Sequence, residues 1–253
     1  MVAEIEVHRL KIPIAAVRSL SPAERYAYYL LGHIFNELMF LQKLLKFALP
    51  IHDDERSFRK QPEMAQALCL FRIAAGKMFE AKLALENPTM SQVLPVSFLL
   101  LAPGLSDRLE KLRFQVEHAE WLKNLRNQHS FHYPKFYQWA TLIDPSPDWA
   151  DDDIFLAEQS GNVFYVGSDM LAQQWMFGQF DSENPAEAVE PMIKALIALI
   201  GDINGFLEDV LGAFIAQRLT GEIQQDSFVG TIECPEFETF NIPFWTHMPI
   251  SSD

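Results

Sequence analysis

Cysteine is scarce in this chain: Cys69 and Cys234 stand alone among 253 residues. With no Cys-x-x-Cys spacing they make neither a disulfide framework nor a thiolate zinc site, which fits a reducing cytoplasm. Basic residues are also few, 20 against 34 acidic, for a formal net charge of −14. A field of that sign repels polyanions, so any nucleic-acid role has to be local. No apolar run is long enough to span a bilayer; the most apolar stretch, Val93 to Pro103, is short and contains Pro95. Met1 to Leu20 is interrupted by Glu4, Glu6, His8, Arg9, Lys11 and Arg18 and lacks the form of a secretory signal. The expectation is a soluble, cytoplasmic protein with no membrane partner. No Gly-x-Gly-x-x-Gly, Gly-Lys-Ser/Thr or Gly-x-Ser-x-Gly motif occurs, so no nucleotide cofactor or hydrolase elbow is indicated. No self-similar period marks a solenoid.

Hydrophobic residues make up 49% of the chain, enough for a sizeable core. Their spacing is mostly helical. Ser21-Pro22-Ala23-Glu24 forms a capping box with proline at the first helical position, and Leu30, Ile34, Leu38, Leu41 and Leu45 follow at steps of four and three. One helix is therefore expected from Pro22 to Leu49. A second stripe, Met64, Leu68, Phe71, Ala75, Phe79 and Leu83, puts a helix between Pro62 and Asn87-Pro88. After a proline-punctuated connector, Ser106 caps a third helix expected to run to Tyr133-Pro134. The last stripe, Val189 to Phe214, holds for about seven turns before Gly221 stops it.

Between the last two helices, Asp153 to Glu158 and Val163 to Val166 read as short strands joined by a turn at Ser160-Gly161-Asn162. Ile5 to Ile14 and Phe228 to Phe240 read as strands only at an edge, or as loops, because Pro13, Pro235 and Pro243 interrupt them. The expected fold is mainly α: an up-and-down helical bundle in a single domain over 1–253. It carries a hairpin insertion at about 150–168 and an irregular C-terminal extension at about 222–253. The aromatic residues of that extension, Phe237, Phe240, Phe244 and Trp245, are expected to pack over the bundle.

The third helix carries the functional signal. On a continuous helix Arg126, Asn127 and Ser130 fall within about 60° of the line through Leu105, Leu109, Leu112 and Val116, so polar groups stand where the core stripe should continue. Either they cap the last turn, or a cleft-lining Arg126 is paired with an anion. Phe114, Trp121 and Leu125 form a second stripe on the opposite face, beside His118, His129 and His132. That face is expected to be buried, inside the chain or against a second subunit. From Arg108 to Lys135 the local charge is +3, which leaves −17 for the rest of the chain. The basic residues make either a cationic strip for phosphates or a solvated face with ion pairs.

Arg126-Asn127-Gln128-His129-Ser130-Phe131-His132 has the form Arg, polar residue, four residues, His. Near a helix end in an all-α chain, this resembles the signature of the HEPN superfamily (higher eukaryotes and prokaryotes nucleotide-binding). The resemblance implies a helical bundle, usually a homodimer, whose active members are metal-independent endoribonucleases of toxin or phage-defence type with a composite site across a two-fold axis. It assigns proton transfer to His132, the phosphate to Arg126 and positioning to Asn127. Lys123, His129 and Tyr133 are the candidate substrate contacts. The implied partners are single-stranded RNA and an antitoxin or regulatory protein; neither cofactor nor metal is implied. On one ideal helix Arg126 and His132 point about 120° apart, so one helix alone converges them poorly, whereas two copies around a dimer axis could. The alternatives are a catalytically silent helical interaction or regulatory protein that binds a protein partner, and a helical metal site at His33, Glu37, His129 and His132.

Overall fold

The structure, a computed structural model, describes residues 2–50, 57–130, 132–140, 142–143, 152–158, 161–178, 180, 187, 189–219, 224–236 and 239–247. Gly221, Ser160 and Phe237, which the sequence analysis singled out, lie outside the described residues. The fold is mainly α with a small inserted hairpin. Strand β1 (Val2–Lys11) leads into α1 (Ile14–Ser19), α2 (Pro22–Ala48), α3 (Ser57–Leu85) and α4 (Pro88–Val93). A π turn (Leu94–Phe98) and a 3-10 turn (Leu99–Leu101) precede α5 (Leu105–His118), α6 (Glu120–Leu125) and a second π turn (Arg126–Ser130). Then come α7 (Phe136–Trp139), β2 (Ile154–Leu156), β3 (Val163–Tyr165), α8 (Val166–Phe177), α9 (Val189–Phe214) with a π turn at Ile215–Leu219, and β4 (Gln224–Pro235).

The capping box closes as expected: the Ser21 amide donates to Glu24 Oε2 at 3.0 Å and the Glu24 amide to Ser21 Oγ at 3.3 Å. Helix α3 starts earlier than its proline predicts. Pro62 lies within it and cannot donate to the Phe58 carbonyl one turn back. That carbonyl instead accepts from Trp245 Nε1 at 2.9 Å, so an indole replaces the missing backbone donor. The expected connector is helical over most of its length, and Gly104, in the left-handed region at φ 78°, caps α5 in place of Ser106.

The third helix is not continuous. It breaks at Ala119 (φ −88°, ψ 67°), a residue with the highest helix propensity, so the break is imposed by tertiary structure. The angular placement of Arg126, Asn127 and Ser130 against the Leu105 stripe therefore does not apply.

The chain forms two compact units, each assembled from three segments. The first comprises residues 1–40, 77–120 and 197–240. Its core contains Leu31, Ile34 and Leu38, Met78 and Leu85, Met90 and Phe98, Leu105, Leu109, Leu112 and Val116, and Ile203, Phe206, Leu207, Val210 and Phe214. Phe98 stacks on Phe214 with ring centroids 4.1 Å apart and planes 10° from parallel. Strands β1 and β4 pair antiparallel with Ile5 opposite Ile232, and bulges follow Val7 and Arg9. Both are edge strands of a two-stranded ribbon, a position that tolerates Pro235.

The second unit comprises residues 41–76, 121–196 and 241–253. Leu45, Leu68, Phe71, Ala74, Leu122, Leu125, Trp175, Met176, Phe177, Met192 and Leu196 are buried in it. Strands β2 and β3 make the expected hairpin, with Phe155 opposite Phe164. Phe164 also meets Phe244 edge-on, so this part of the C-terminal extension does pack onto the unit. Buried Asn162 holds the extension by its backbone, donating to the Thr246 carbonyl at 2.6 Å and accepting from the Thr246 amide at 3.1 Å. Helix α8, which the sequence analysis did not predict, is capped from fifteen residues upstream: the Gly167 amide donates to Asp152 Oδ1 at 3.0 Å. A Cβ at Gly167 would lie 2.3 Å from that oxygen.

Candidate active site

The motif lies in the second unit, on a π turn. Arg126 is half-buried, and its Nη1 donates to Asn127 Oδ1 at 2.8 Å; Asn127 is exposed. The Ser130 hydroxyl leaves the polar stripe expected of it, donating to the Arg72 carbonyl on α3 at 2.6 Å and lying 3.1 Å from the Leu125 carbonyl. The turn is thus tied to α3 by a serine. Wide turns of this kind recur at functional sites because they turn side chains out of the regular helical rows.

His129, the next motif side chain, is buried with 9% of its surface exposed. Its ring lies over Trp175, centroids 3.6 Å apart, and Trp175 meets Trp139 edge-on at 6.3 Å and 85°. Burial, and secondarily the Arg72 charge, push the His129 pKa from 6.5 down to about 4, so the ring is neutral at physiological pH. Neither His129 Nε2 nor Trp139 Nε1 has a hydrogen-bond partner among the described residues. Leaving a buried polar atom unpaired typically costs about 1–3 kcal/mol.

These rings wall a cavity of about 430 Å³, lined also by Cys69, Arg72, Ser130, His132 and Tyr133. His132 is exposed and Tyr133 is 97% exposed. Of the sequence-predicted residues, the cavity therefore gathers His129, His132 and Tyr133; Arg126, Asn127 and Lys123 are not part of its lining. Arg72, Trp139 and Trp175 were not predicted. Arg72 had a visible signal, since it is the only charged residue between Glu63 and Lys77, in the apolar stretch that includes Phe71 and Ile73. The indoles had none, because only the tertiary fold assembles them.

The second apolar stripe breaks up with its helix. Phe114 is 60% exposed and stacks on His118, whereas Leu125 is buried. Trp121 is half-buried and stacks on Phe71 at 6.1 Å and 15°. The expectation of one continuous buried seam is corrected accordingly. The basic segment also divides: Arg108 pairs with Asp209, and Arg113 bonds Glu110 at 2.7 Å, so two of its cations serve ion pairs in the first unit. His33 and Glu37 approach to 3.7 Å, but no group of three or more His, Cys, Asp and Glu able to hold a metal ion occurs among the described residues. No helix of the described residues is long and apolar enough to cross a membrane. No family model, curated protein or solved structure matches the chain.

Proposed function

We propose that the chain is a HEPN-like, metal-independent endoribonuclease of the toxin or phage-defence kind, acting on single-stranded RNA as a homodimer with a composite site. The observation that carries this reading is the exposed His132 at a cavity that Arg72 also lines, two residues beyond a turn on which Arg126 is hydrogen-bonded to Asn127. A base titrating near neutrality and fixed guanidinium groups are what metal-free phosphodiester cleavage requires. His132 takes the proton of the 2′-hydroxyl as the 2′-oxygen bonds to phosphorus. The bond from phosphorus to the 5′-oxygen breaks, and that oxygen takes a proton from the protonated His132 of the second copy. A 2′,3′-cyclic phosphate and a 5′-hydroxyl result. Arg126 stabilises the charge on the phosphorane oxygens, Asn127 positions the phosphate, and Lys123 and Tyr133 hold the flanking strand. His129, neutral and buried, shapes the site and takes no part in proton transfer.

The test is cleavage of single-stranded RNA by the purified chain with chelator present. Cleavage is expected, with 2′-deoxy substrate resisting it. Arg126→Lys should be severely impaired, because an ammonium keeps the charge and loses the planar fork. Inert wild-type protein would overturn the reading in favour of a catalytically silent interaction protein that binds a protein partner. One observation favours that second reading: Tyr133, Phe136 and Tyr137, directly after the motif, are 97%, 78% and 70% exposed.

A further inference from the structure

We propose that the cavity beside the motif is a binding site for a small, flat heteroaromatic anion. This chemistry is shared by nucleoside monophosphates and indole-type carboxylates. Four features of one wall carry the inference. The volume, about 430 Å³, lies within the range of about 300–1,000 Å³ typical of small-ligand sites and far above the ~30 Å³ share of a single water. Trp139 and Trp175, both in the lining, stand at 85° to each other with centroids 6.3 Å apart, so the wall offers aromatic surface in two planes to a flat ring. Trp139 Nε1, a donor only, and His129 Nε2 lack partners among the described residues, and both rings belong to the lining. A heterocycle with acceptor and donor atoms on its edges carries the complement of each.

Arg72 lines the same cavity and supplies the charge for the anion. Asp169, which feels the Arg72 charge, lines the neighbouring cavity with Lys60 and Gln61 and accepts from Gln173. Both orphaned nitrogens are sealed within the wall, so a ligand that bonds them has to turn the rings. That movement makes the proposal measurable. The site stands whether or not His132 cleaves RNA, because the indole pair, the two unpartnered nitrogens and Arg72 do not involve the His132 imidazole, although His132 also lines the cavity.

The experiment is a titration of the nitrogen-15-labelled full chain, followed at the Trp139 indole N–H resonance, which Trp139→Phe assigns by its disappearance. Adenosine monophosphate, indole-3-acetate and inorganic phosphate are added in separate titrations. At least one of the two flat anions should move the resonance saturably, with a Kd on the order of 0.1 mM, and phosphate should not. Arg72→Gln should weaken binding about tenfold at unchanged spectral dispersion elsewhere. Saturation by the nucleotide identifies a nucleotide site, and saturation by the carboxylate an aromatic-acid site. No saturable shift with either flat anion overturns the proposal, as does a response to phosphate as strong as to the flat anions. If Arg72→Gln fails to fold, binding measured calorimetrically in Trp139→Phe decides: tenfold weakening supports the site, and unchanged affinity overturns it.

Discussion

The two units treat their polar groups differently. In the first, charge is matched locally: Glu24 accepts from Ser21 and from Arg218 Nη2 at 2.8 Å, Lys77 reaches Glu37 at 2.9 Å, and Lys82 lies between Glu86 and Glu117. Arg113 Nε and Gln115 Oε1 have no hydrogen-bond partner among the described residues, but both side chains bond through other atoms, to Glu110 and Asp202. The space among Met78, Leu109, Leu112 and Ile203 is only about 10 Å³. The second unit has open pockets of about 770, 430 and 350 Å³, and at one of them His129 Nε2 and Trp139 Nε1 have no hydrogen-bond partner among the described residues. The first unit also has a pocket, of about 150 Å³ beside His33, Glu37 and Lys77, so the difference is one of degree: the larger pockets and the two unpartnered ring nitrogens belong to the unit that carries the motif. The contrast can be attacked from either side.

The largest effect is expected in the scaffold. Phe214 is fully buried against Phe98, and Phe214→Ala should lower stability by about 3–5 kcal/mol in urea denaturation followed by far-UV circular dichroism. A loss below about 1 kcal/mol would show that this core is looser than its packing indicates.

Next in size is the response to acid. The folded His129 value, about 4, lies below the ordinary 6.5, so the unfolded chain binds the extra proton first. The contribution of His129 is complete above pH 6.5, is lost as pH falls toward 4, and is flat below; its full size is about 3 kcal/mol. Asp169 acts in the opposite sense, because burial pushes its carboxyl up against the Gln173 bond and the Arg72 charge. Denaturation of wild type and His129→Phe at several pH values separates the two. The tryptophans among the described residues, Trp121, Trp139, Trp175 and Trp245, belong to the second unit, so their fluorescence reports on it. Equal pH dependence in both proteins would contradict the burial of a neutral His129.

Smaller effects follow at two polar clamps. Asn162→Ala removes both bonds to the Thr246 backbone and should cost about 1–3 kcal/mol. Glu24→Ala should cost about 1–2 kcal/mol through the capping box, with Glu24→Gln milder because glutamine still accepts from Ser21. Burial pushes the Glu24 carboxyl up, but bonds from Ser21 and Ser97 and the charge of Arg218 outweigh it and hold it below 4.5. Its contribution is therefore present above pH 4.5 and fades as pH falls below that, whereas the His129 contribution begins to fade already at 6.5. An acid transition left unchanged by both Glu24→Gln and His129→Phe would remove this distinction.

The long helices were legible because strong local signals agreed with them. The Ser21 capping box begins α2, and the stripe from Val189 to Phe214 coincides with α9. What escaped depends on distant residues. Nothing near Ala119 marks a break, Pro62 is tolerated because Trp245 reaches Phe58, and α8 is capped by Asp152. The site was legible in the same divided way. Arg126, Asn127 and His132 were visible as a spacing, but the spacing assumed a regular helix where the backbone makes a π turn. The cavity beside it is lined from α3, α7 and α8, so the two indoles could not be assigned from their own neighbours, whereas Arg72 stood out as a lone charge in an apolar stretch.

The central claim is that the second unit carries a working site at His132, and His132→Ala tests it most directly. The imidazole is exposed, so the variant should retain the wild-type urea midpoint. Cleavage of single-stranded RNA, measured as release of 2′,3′-cyclic phosphate ends, should fall by about 10²–10⁴. Cleavage by His132→Ala at the wild-type rate, in protein of unchanged stability, would contradict the account.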